Sequence, residues 1–194
     1  MSMNKTDVGF ALCGSFCTFS QVIPIIEKLV NEGYNLIPIM SHAAYTTNTR
    51  FGKAQDFIET IENICQKQII HTIFQAEPIG PKKLLDALII EPCTGNTLGK
   101  LANGIYDTSV TLAAKAHLRN NRPVILGVST NDALCGSAPS LGKLMATKNY
   151  YFIPLRQDDP YKKPTSIVCD FTKTSETLKA ALNGLQYQPM LQGS

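Results

Sequence analysis

Residues 8–15 read Val-Gly-Phe-Ala-Leu-Cys-Gly-Ser, an apolar run that ends at a glycine and a hydroxyl side chain. A short apolar run that stops at Gly14-Ser15 is typical of a buried strand entering a tight turn. Apolar residues with helical spacing follow over Ser20–Asn31, and Pro24 is early enough to fit a first helical turn. A strand, a turn and an amphipathic helix in this order predict the first unit of an alternating α/β fold.

The rest of the chain repeats this alternation. Apolar runs predict further strands at Leu36–Met40, Ala87–Glu91, Val124–Val128, Tyr150–Leu155 and Ser166–Asp170. Helical spacing predicts helices at Ala54–Lys67, Thr108–Asn120 and Thr174–Asn183. Because the strands are apolar throughout, both faces of their sheet must be covered. The sequence therefore predicts a three-layer α/β fold, with a mainly parallel sheet and helices on both faces.

Composition places the chain among globular proteins and excludes several functional classes. Of its 194 residues, 44% are hydrophobic and 17% are charged, which predicts one folded domain over residues 1–194. The net charge of +3 comes without a run of five basic residues, so nucleic-acid binding is not predicted. No apolar run approaches the ~20 residues that span a bilayer, so no membrane association is predicted. The N-terminus lacks the pattern of a signal peptide, and we expect a cytoplasmic protein.

Six cysteines are scattered along the chain, at positions 13, 17, 65, 93, 135 and 169. None forms a Cys-x-x-Cys pair or lies at zinc-site spacing from a histidine, so no metal site is predicted. In a cytoplasmic chain such thiols are typically small buried apolar groups. Cys93 and Cys135 lie in loops that follow strands, where they could also line a site.

Ligands of parallel α/β sheets bind at the carboxyl ends of the strands, so the loops there form the candidate site. After the first strand, Gly14 permits a sharp turn, and Ser15 and Thr18 offer hydroxyls to a phosphate at a helix N-terminus. The same two side chains could instead only cap the helix. The dinucleotide and P-loop fingerprints are both absent from the sequence.

Three further loops after strands carry the same chemistry. Ser41-His42 follows the second strand, Pro92-Cys-Thr-Gly-Asn-Thr97 follows the third, and Ser129-Thr-Asn131 follows the fourth. Asn96 supplies both a donor and an acceptor for a heteroaromatic edge or a ribityl chain, although a plain loop needs only the proline and the glycine. Four such loops in succession predict a polar, phosphorylated ligand.

Residues 92–97 also resemble the PASANT motif of the homo-oligomeric flavin-containing cysteine decarboxylase superfamily. Gly99–Asp107 resembles that family's continuation, K-x-A-x-G-x-x-D, and the similarity covers residues 6–185, which leaves a short C-terminal tail. The resemblance implies a Rossmann-like flavoprotein fold, bound FMN, and assembly into trimers or dodecamers with the cofactor between subunits. The loops and the resemblance together predict these cofactor-binding residues: Gly14, Ser15, Phe16, Thr18, Ser41, His42, Thr94, Gly95, Asn96, Thr97, Ser129, Thr130 and Asn131.

Within that superfamily, several short segments resemble the B subunits of bacterial dipicolinate synthases: Ala76–Pro81, Thr94–Thr97, Tyr151–Pro154 and Gln157–Asp159. This resemblance implies a flavoprotein subunit that oxidises dihydrodipicolinate, a small dicarboxylate, in the mother cell of a sporulating bacterium. Its partner would be the nicotinamide-dependent A subunit of dipicolinate synthase. NADP is expected on that A subunit, because this sequence has no G-x-G-x-x-G.

Three other functions are alternatives: an FMN-dependent decarboxylase, a flavin prenyltransferase, and a structural subunit that binds no flavin. The decarboxylases carry P-x-M-N-x-x-M-W where this chain has Ser129–Leu134, which keeps only Asn131, and the chain has no tryptophan. Their catalytic histidine lies ahead of the PASANT strand. His71 is the catalytic candidate here, 21 positions before Pro92, and a partly exposed structural histidine is the alternative. His117 is expected to be solvated.

Overall fold

Strands and helices alternate along the chain, as the sequence predicts. The computed structural model describes residues 5–193, and its strands are β1 (Asp7–Leu12), β2 (Asn35–Met40), β3 (Ala87–Cys93), β4 (Val124–Thr130), β5 (Tyr150–Phe152), β6 (Leu155–Asp159) and β7 (Lys163–Cys169). Its α-helices are α1 (Phe19–Asn31), α2 (His42–Thr46), α3 (Ala54–Cys65), α4 (Ile73–Ala76), α5 (Gly95–Ala102), α6 (Ser109–Leu118), α7 (Ala138–Met145) and α8 (Thr174–Leu182). Short 3-10 helices cover Phe16–Thr18, Glu77–Ile79 and Phe171–Lys173.

One mixed sheet carries all of these strands. Its order is β2-β1-β3-β4-β7-β6, and β5 pairs with the first half of β4, whose last two residues pair with β7. β1 to β5 run parallel, whereas β6 and β7 form an antiparallel hairpin beside β4. The predicted α/β fold with a mainly parallel sheet is confirmed. Its parallel core has the order 2-1-3-4-5, in which the direction of winding reverses between β1 and β3.

The apolar strands lie in the interior. All seven residues of β3 are buried, as are five of the six residues of β1. Because neighbouring side chains of a strand point to opposite faces, burial of every residue means that both faces of the sheet are covered. Each leucine or isoleucine buried in this way contributes about 1.5–3 kcal/mol, so the core holds the strand ends in fixed positions.

The last part of the sheet differs from the sequence prediction. The predicted strand over Tyr150–Leu155 is two strands, β5 and β6, since Pro154 lacks the N–H that a central ladder requires. The predicted strand over Ser166–Asp170 starts earlier, at Lys163, and pairs antiparallel with β6. The middle of β6, Arg156–Asp158, is exposed and polar, so the apolar pattern does not reveal the hairpin.

Two helices end or begin where the sequence pattern does not indicate. α1 begins at Phe19, so Pro24 lies in its second turn rather than its first. α3 ends at Cys65 because Gln66 adopts a left-handed conformation, with φ of 53°.

His117 is buried, and the prediction that it is solvated is wrong. It is 1% exposed, because α6 packs against both the sheet and α4, and its Nε2 lies 3.1 Å from the Pro123 carbonyl oxygen. Burial lowers the pKa of His117 to about 4, so the ring is neutral at neutral pH.

Thr108 is the N-cap of α6 and forms a capping box with Thr111. Its hydroxyl accepts a hydrogen bond from the Thr111 N–H at 3.1 Å, and the Thr111 hydroxyl accepts one from the Thr108 N–H at 3.2 Å. We expect Thr108→Ala to lower the free energy of unfolding by about 1 kcal/mol, because the Thr111 N–H loses its partner. Urea unfolding measures the change. Thr60→Ala, on the exposed side of α3, is the control and should cause no loss; equal losses in the two variants would contradict the role of the cap.

Neither a membrane-crossing helix nor a metal-binding cluster occurs within residues 5–193. No helix there is long and apolar enough to span a bilayer, and no three His, Cys, Asp or Glu side chains come together to hold a metal ion. All six cysteines are free thiols; positions 13, 65, 93 and 169 are buried as expected, whereas Cys17 and Cys135 are exposed. Burial raises the pKa of Cys13 to about 11, which keeps it a thiol.

Candidate functional site

The reversal of winding between β1 and β3 brings three loops together at the carboxyl ends of the strands. The Cys13 N–H donates to the Pro92 carbonyl oxygen at 3.2 Å, and the Ser41 N–H donates to the Leu12 carbonyl oxygen at 3.0 Å. These bonds hold the loops after β1, β2 and β3 side by side. Open α/β sheets bind their ligands at such a place.

A cleft of about 770 Å³ lies at this edge of the sheet. Its wall contains the loops after β1, β3 and β4, with further residues from the segment between α2 and α3 and from the β6–β7 hairpin. Three of the four predicted loops therefore meet in one cleft. The predicted residues that line it are Gly14, Ser15, Phe16, Thr94, Gly95, Asn96, Ser129, Thr130 and Asn131.

Ser15 joins the loop after β1 to the end of β4. Its Oγ lies 3.0 Å from Ser129 Oγ, and its carbonyl oxygen accepts a hydrogen bond from the Thr18 hydroxyl at 2.8 Å. Neither Ser15 nor Thr18 accepts a hydrogen bond from a helix N–H through its side chain, so the alternative in which they cap the helix does not hold. The Ser15 and Ser129 hydroxyls are paired with each other on the cleft wall, which leaves one O–H of the pair free to donate.

The N-terminus of α5 forms another part of the wall, and Gly95 makes it possible. Thr94 is the N-cap of this helix. A Cβ atom at Gly95 would lie 2.6 Å from Ser137 Oγ, 2.8 Å from Asp132 Oδ1 and 2.9 Å from Thr130 Oγ1. Real Cβ atoms do not approach polar atoms so closely, so only glycine fits here without a shift of its neighbours.

Asp132 places a carboxylate against this helix N-terminus. Its Oδ1 accepts hydrogen bonds from the Thr130 hydroxyl at 2.6 Å and from the Ser137 hydroxyl at 2.9 Å. The Thr130 hydroxyl, followed by that of Ser137, lowers the pKa of Asp132, so the group is ionised at neutral pH. A carboxylate beside a helix N-terminus favours the positive end of the helix dipole, so Asp132 reduces the attraction of this end of α5 for an anion.

Asn96 and Asn131 present carboxamides to the cleft. Both side chains are exposed, and neither has a hydrogen-bond partner among residues 5–193. Each amide can therefore offer a donor and an acceptor to a ligand. Asn131 is fixed through its backbone, since its carbonyl oxygen accepts from the Thr165 hydroxyl at 2.7 Å.

Three predicted hydroxyl residues lie outside the cleft wall. Thr18 is buried beneath Ser15. Thr97 is buried and donates to Cys13 Sγ at 3.2 Å, and Ser41 caps α2 by accepting from the Ala44 N–H at 3.2 Å. They support the loops that line the cleft, and direct contact of these residues with a cofactor stays a prediction.

The two predicted histidines lie together, away from this cleft. The His71 ring packs edge-on against Tyr45, with ring centroids 3.8 Å apart, and His42 is exposed on α2. His71 Nδ1 is buried and has no partner within the described residues. Burial, then the nearby His42, lowers the pKa of His71. The roles of both histidines stay predictions.

The cleft also contains residues that the sequence reasoning did not select. Asp132 and Cys17 come from loops already singled out, and Phe51 comes from the segment between α2 and α3. In the sequence, Phe51 is an aromatic residue within an otherwise polar stretch, and this signal could have marked it as a candidate site residue. In the structure its side chain is 47% exposed. Asp158 and Lys163 come from the β6–β7 hairpin, whose polar sequence resembles any solvated turn.

The comparisons with known proteins agree with this fold. The Flavoprotein family matches residues 1–173. The chain belongs to this family. The predicted Rossmann-like flavoprotein fold is thereby confirmed.

This flavoprotein is 47% identical to the B subunit of dipicolinate synthase from Bacillus subtilis (strain 168), over 98% of this chain and 95% of the relative. The crystal structure of the corresponding B subunit from Bacillus halodurans C superposes with a TM-score of 0.90 and 45% identity, over the whole of both chains. The FMN-dependent cysteine decarboxylase SpaF has a TM-score of 0.70 and 18% identity, over 92% of this flavoprotein and 97% of that chain, which shows the fold alone. The resemblance to the dipicolinate synthase B subunits is confirmed.

Proposed function

We propose that this flavoprotein acts with a nicotinamide-dependent A subunit to oxidise dihydrodipicolinate to dipicolinate. The observation that carries the proposal is the 47% identity to a dipicolinate synthase B subunit over 98% of the chain. A cleft at the reversal point of the sheet, lined by hydroxyls, amides and an ionised carboxylate, supports it.

The donor groups and the size of the cleft fit FMN. Its volume of about 770 Å³ lies within the roughly 300–1,000 Å³ of small-molecule sites. The backbone of Gly14–Phe16 and the hydroxyls of Ser15 and Ser129 would hold the phosphate, and Thr94 and Asn96 would contact the flavin ring. Bound there, FMN would supply two-electron redox chemistry.

The oxidation removes one hydride and one proton from the substrate and leaves an aromatic pyridine ring. Oxidised NADP would be the final acceptor of the hydride, and it would bind on the A subunit because this chain lacks the glycine-rich fingerprint of a nicotinamide site. Asp132 is ionised, but hydroxyl donors stabilise its charge, which makes it a weak base. We assign it the role of fixing the wall between α5 and the loop after β4.

The proposed proton acceptor is His71. Burial and the neighbouring His42 lower its pKa, so the ring is neutral at neutral pH and able to accept a proton. His71 does not line the cleft of its own chain, and Phe74 close by is 88% exposed. We therefore propose a homo-oligomer, a trimer or a dodecamer, in which His71 reaches the cleft of a neighbouring subunit. A monomer with full activity would contradict this assembly.

Reconstitution with the A subunit tests the proposed reaction. This protein is mixed with a candidate A subunit, FMN, NADP and dihydrodipicolinate, and the absorbance of the pyridine product is followed. We expect product only from the complete mixture, and each subunit alone is the control. The proposed function is wrong if the complete mixture makes no product, or if this chain alone turns over NADP.

Asn96→Ala tests the ring contact. The exposed carboxamide has no partner among residues 5–193, so a ligand would be its partner, and we expect its removal to weaken FMN binding by about fivefold to tenfold. Flavin fluorescence titration measures the affinity. Asn103→Ala, just past the other end of α5, is the matched control, because the Asn103 amide donates to the Gly99 carbonyl oxygen. An unchanged affinity in the Asn96 variant would remove Asn96 from the site.

A further inference from the structure

A second cavity adjoins the cofactor cleft. Its volume is about 1070 Å³, and its wall contains the 3-10 helix after β1, the start of α1, the β6–β7 hairpin and the C-terminal tail. The two cavities share Cys17, Asp158, Lys163 and Val168. A molecule in the second cavity would therefore lie close to a molecule in the first.

The tail is part of this wall because it pairs with the hairpin. The Leu155 N–H donates to the Met190 carbonyl oxygen at 2.7 Å, and the Gln192 N–H donates to the Leu155 carbonyl oxygen at 2.9 Å. The Gln192 side chain donates to Asp170 Oδ2 at 3.0 Å. These bonds hold residues 190–192 along the edge of β6. The tail therefore forms one wall of the cavity through defined hydrogen bonds.

The second cavity is rich in cationic and amide groups. Arg156 lies on the exposed middle of β6, and within residues 5–193 its guanidinium has no carboxylate partner within 4.0 Å. Lys163 pairs with Asp158 at 2.7 Å, and the lysine side chain is 59% exposed. Gln21 adds a carboxamide from α1. Among the described residues Arg156 makes no direct ion pair, although its charge acts on nearby Asp170, and together with the exposed Lys163 ammonium it gives this wall two cations that suit a ligand with two negative charges.

We propose that the second cavity is the subsite for a small aromatic dicarboxylate, in which Arg156 binds one carboxylate and Lys163 releases Asp158 to bind the other. The assignment rests on the proposed function, since it places the dicarboxylate of that reaction. A guanidinium offers two parallel N–H donors to a carboxylate, and Lys163 holds the ligand at the wall shared with the cofactor cleft.

Direct binding tests the subsite without turnover. The full chain, saturated with FMN, is titrated with pyridine-2,6-dicarboxylate by calorimetry. We expect Arg156→Gln and Lys163→Gln each to weaken binding by about tenfold or more, through the loss of a charge-assisted hydrogen bond. Lys162→Gln removes a neighbouring exposed lysine that lines neither cavity, and it should bind as the parent does. FMN affinity and melting temperature should stay constant in the Arg156→Gln and Lys162→Gln variants, because neither residue lines the cofactor cleft.

Other outcomes overturn the subsite. It is wrong if the FMN-saturated chain does not bind the dicarboxylate, or if both variants bind it with parental affinity. It is also wrong if NADP alone binds in this cavity and loses affinity in the Arg156 variant, since the cations would then serve a nucleotide phosphate.

The failure of the subsite and that of the proposed function are distinguishable. An active reconstituted enzyme whose KM for dihydrodipicolinate is unchanged by Arg156→Gln would overturn the subsite and leave the reaction standing. Dicarboxylate binding that depends on Arg156, with no product from the complete mixture, would support the subsite and overturn the reaction.

Discussion

Gly95→Ala is expected to weaken FMN binding by about tenfold or more and to lower the free energy of unfolding by about 1–3 kcal/mol. The new Cβ atom would lie 2.6 Å from Ser137 Oγ and 2.8 Å from Asp132 Oδ1, so the α5 N-terminus and the loop after β4 must move apart. That movement breaks the hydroxyl contacts that hold Asp132 and displaces both walls of the cleft. Flavin fluorescence titration and urea unfolding measure the two effects.

Gly99→Ala is the matched control for Gly95→Ala. It lies one helical turn further along α5, and a Cβ atom there meets nothing within 4 Å. Because alanine is a better helix former than glycine, this variant should bind FMN normally and gain up to about 1 kcal/mol of stability. In the Gly95 variant, Ser137→Ala as a second substitution removes the nearest atom and should restore part of the loss. Equal FMN affinities in the Gly95 and Gly99 variants would show that the close approach at Gly95 does not shape the site.

The second large effect is a loss of stability that depends on Glu91 as the pH rises from 4.5 to about 8. This side chain on β3 is fully buried, and its two carboxyl oxygens lie 2.9 and 3.0 Å from the Thr174 hydroxyl oxygen. Burial raises the pKa of Glu91 to about 8, against the opposing effect of the Thr174 hydroxyl. In its neutral form the carboxyl group can donate to Thr174 Oγ1, whose own proton goes to the Phe171 carbonyl oxygen at 2.7 Å.

The direction of the pH dependence follows from which state binds the proton. Below pH 4.5, Glu91 is protonated in both the folded and the unfolded chain, so its contribution is fully present. Between pH 4.5 and about 8, only the folded chain keeps the proton. The free energy of unfolding should therefore fall by about 1.4 kcal/mol per pH unit over this range, to a total of up to about 5 kcal/mol.

Urea unfolding of the parent and of Glu91→Gln across this pH range tests the prediction. Glutamine keeps the shape of the side chain without the titration, so its stability should fall less steeply than that of the parent. Glu27→Gln, which removes an exposed carboxyl group from α1, is the control and should follow the parent curve. Parallel curves for the parent and the Glu91 variant would contradict a proton held by Glu91.

The loops of the candidate site could be predicted from the sequence because each carries its own local signal. Gly14-Ser15 and Thr94–Asn96 follow apolar runs, and the rule that ligands bind at the carboxyl ends of parallel strands places both at one edge of the sheet. The prediction missed Asp158 and Lys163, since their polar sequence has no apolar run and reaches the cleft through an antiparallel hairpin. It also missed Asp132, whose role depends on the crowding around Gly95.

The sequence by itself determined the alternation of strands and helices, the burial of the sheet on both faces and the chemistry of the loops. These properties follow from hydrophobic period and turn residues, which act over a few neighbouring positions. Only the tertiary structure decided which distant groups meet: Ser15 with Ser129, which are 114 residues apart, and Glu91 with Thr174, which are 83 apart. It also decided that His71 lies away from its own cleft. Such meetings depend on strand order and on the hairpin that closes the sheet, and no local pattern in a chain specifies the order in which its strands pair.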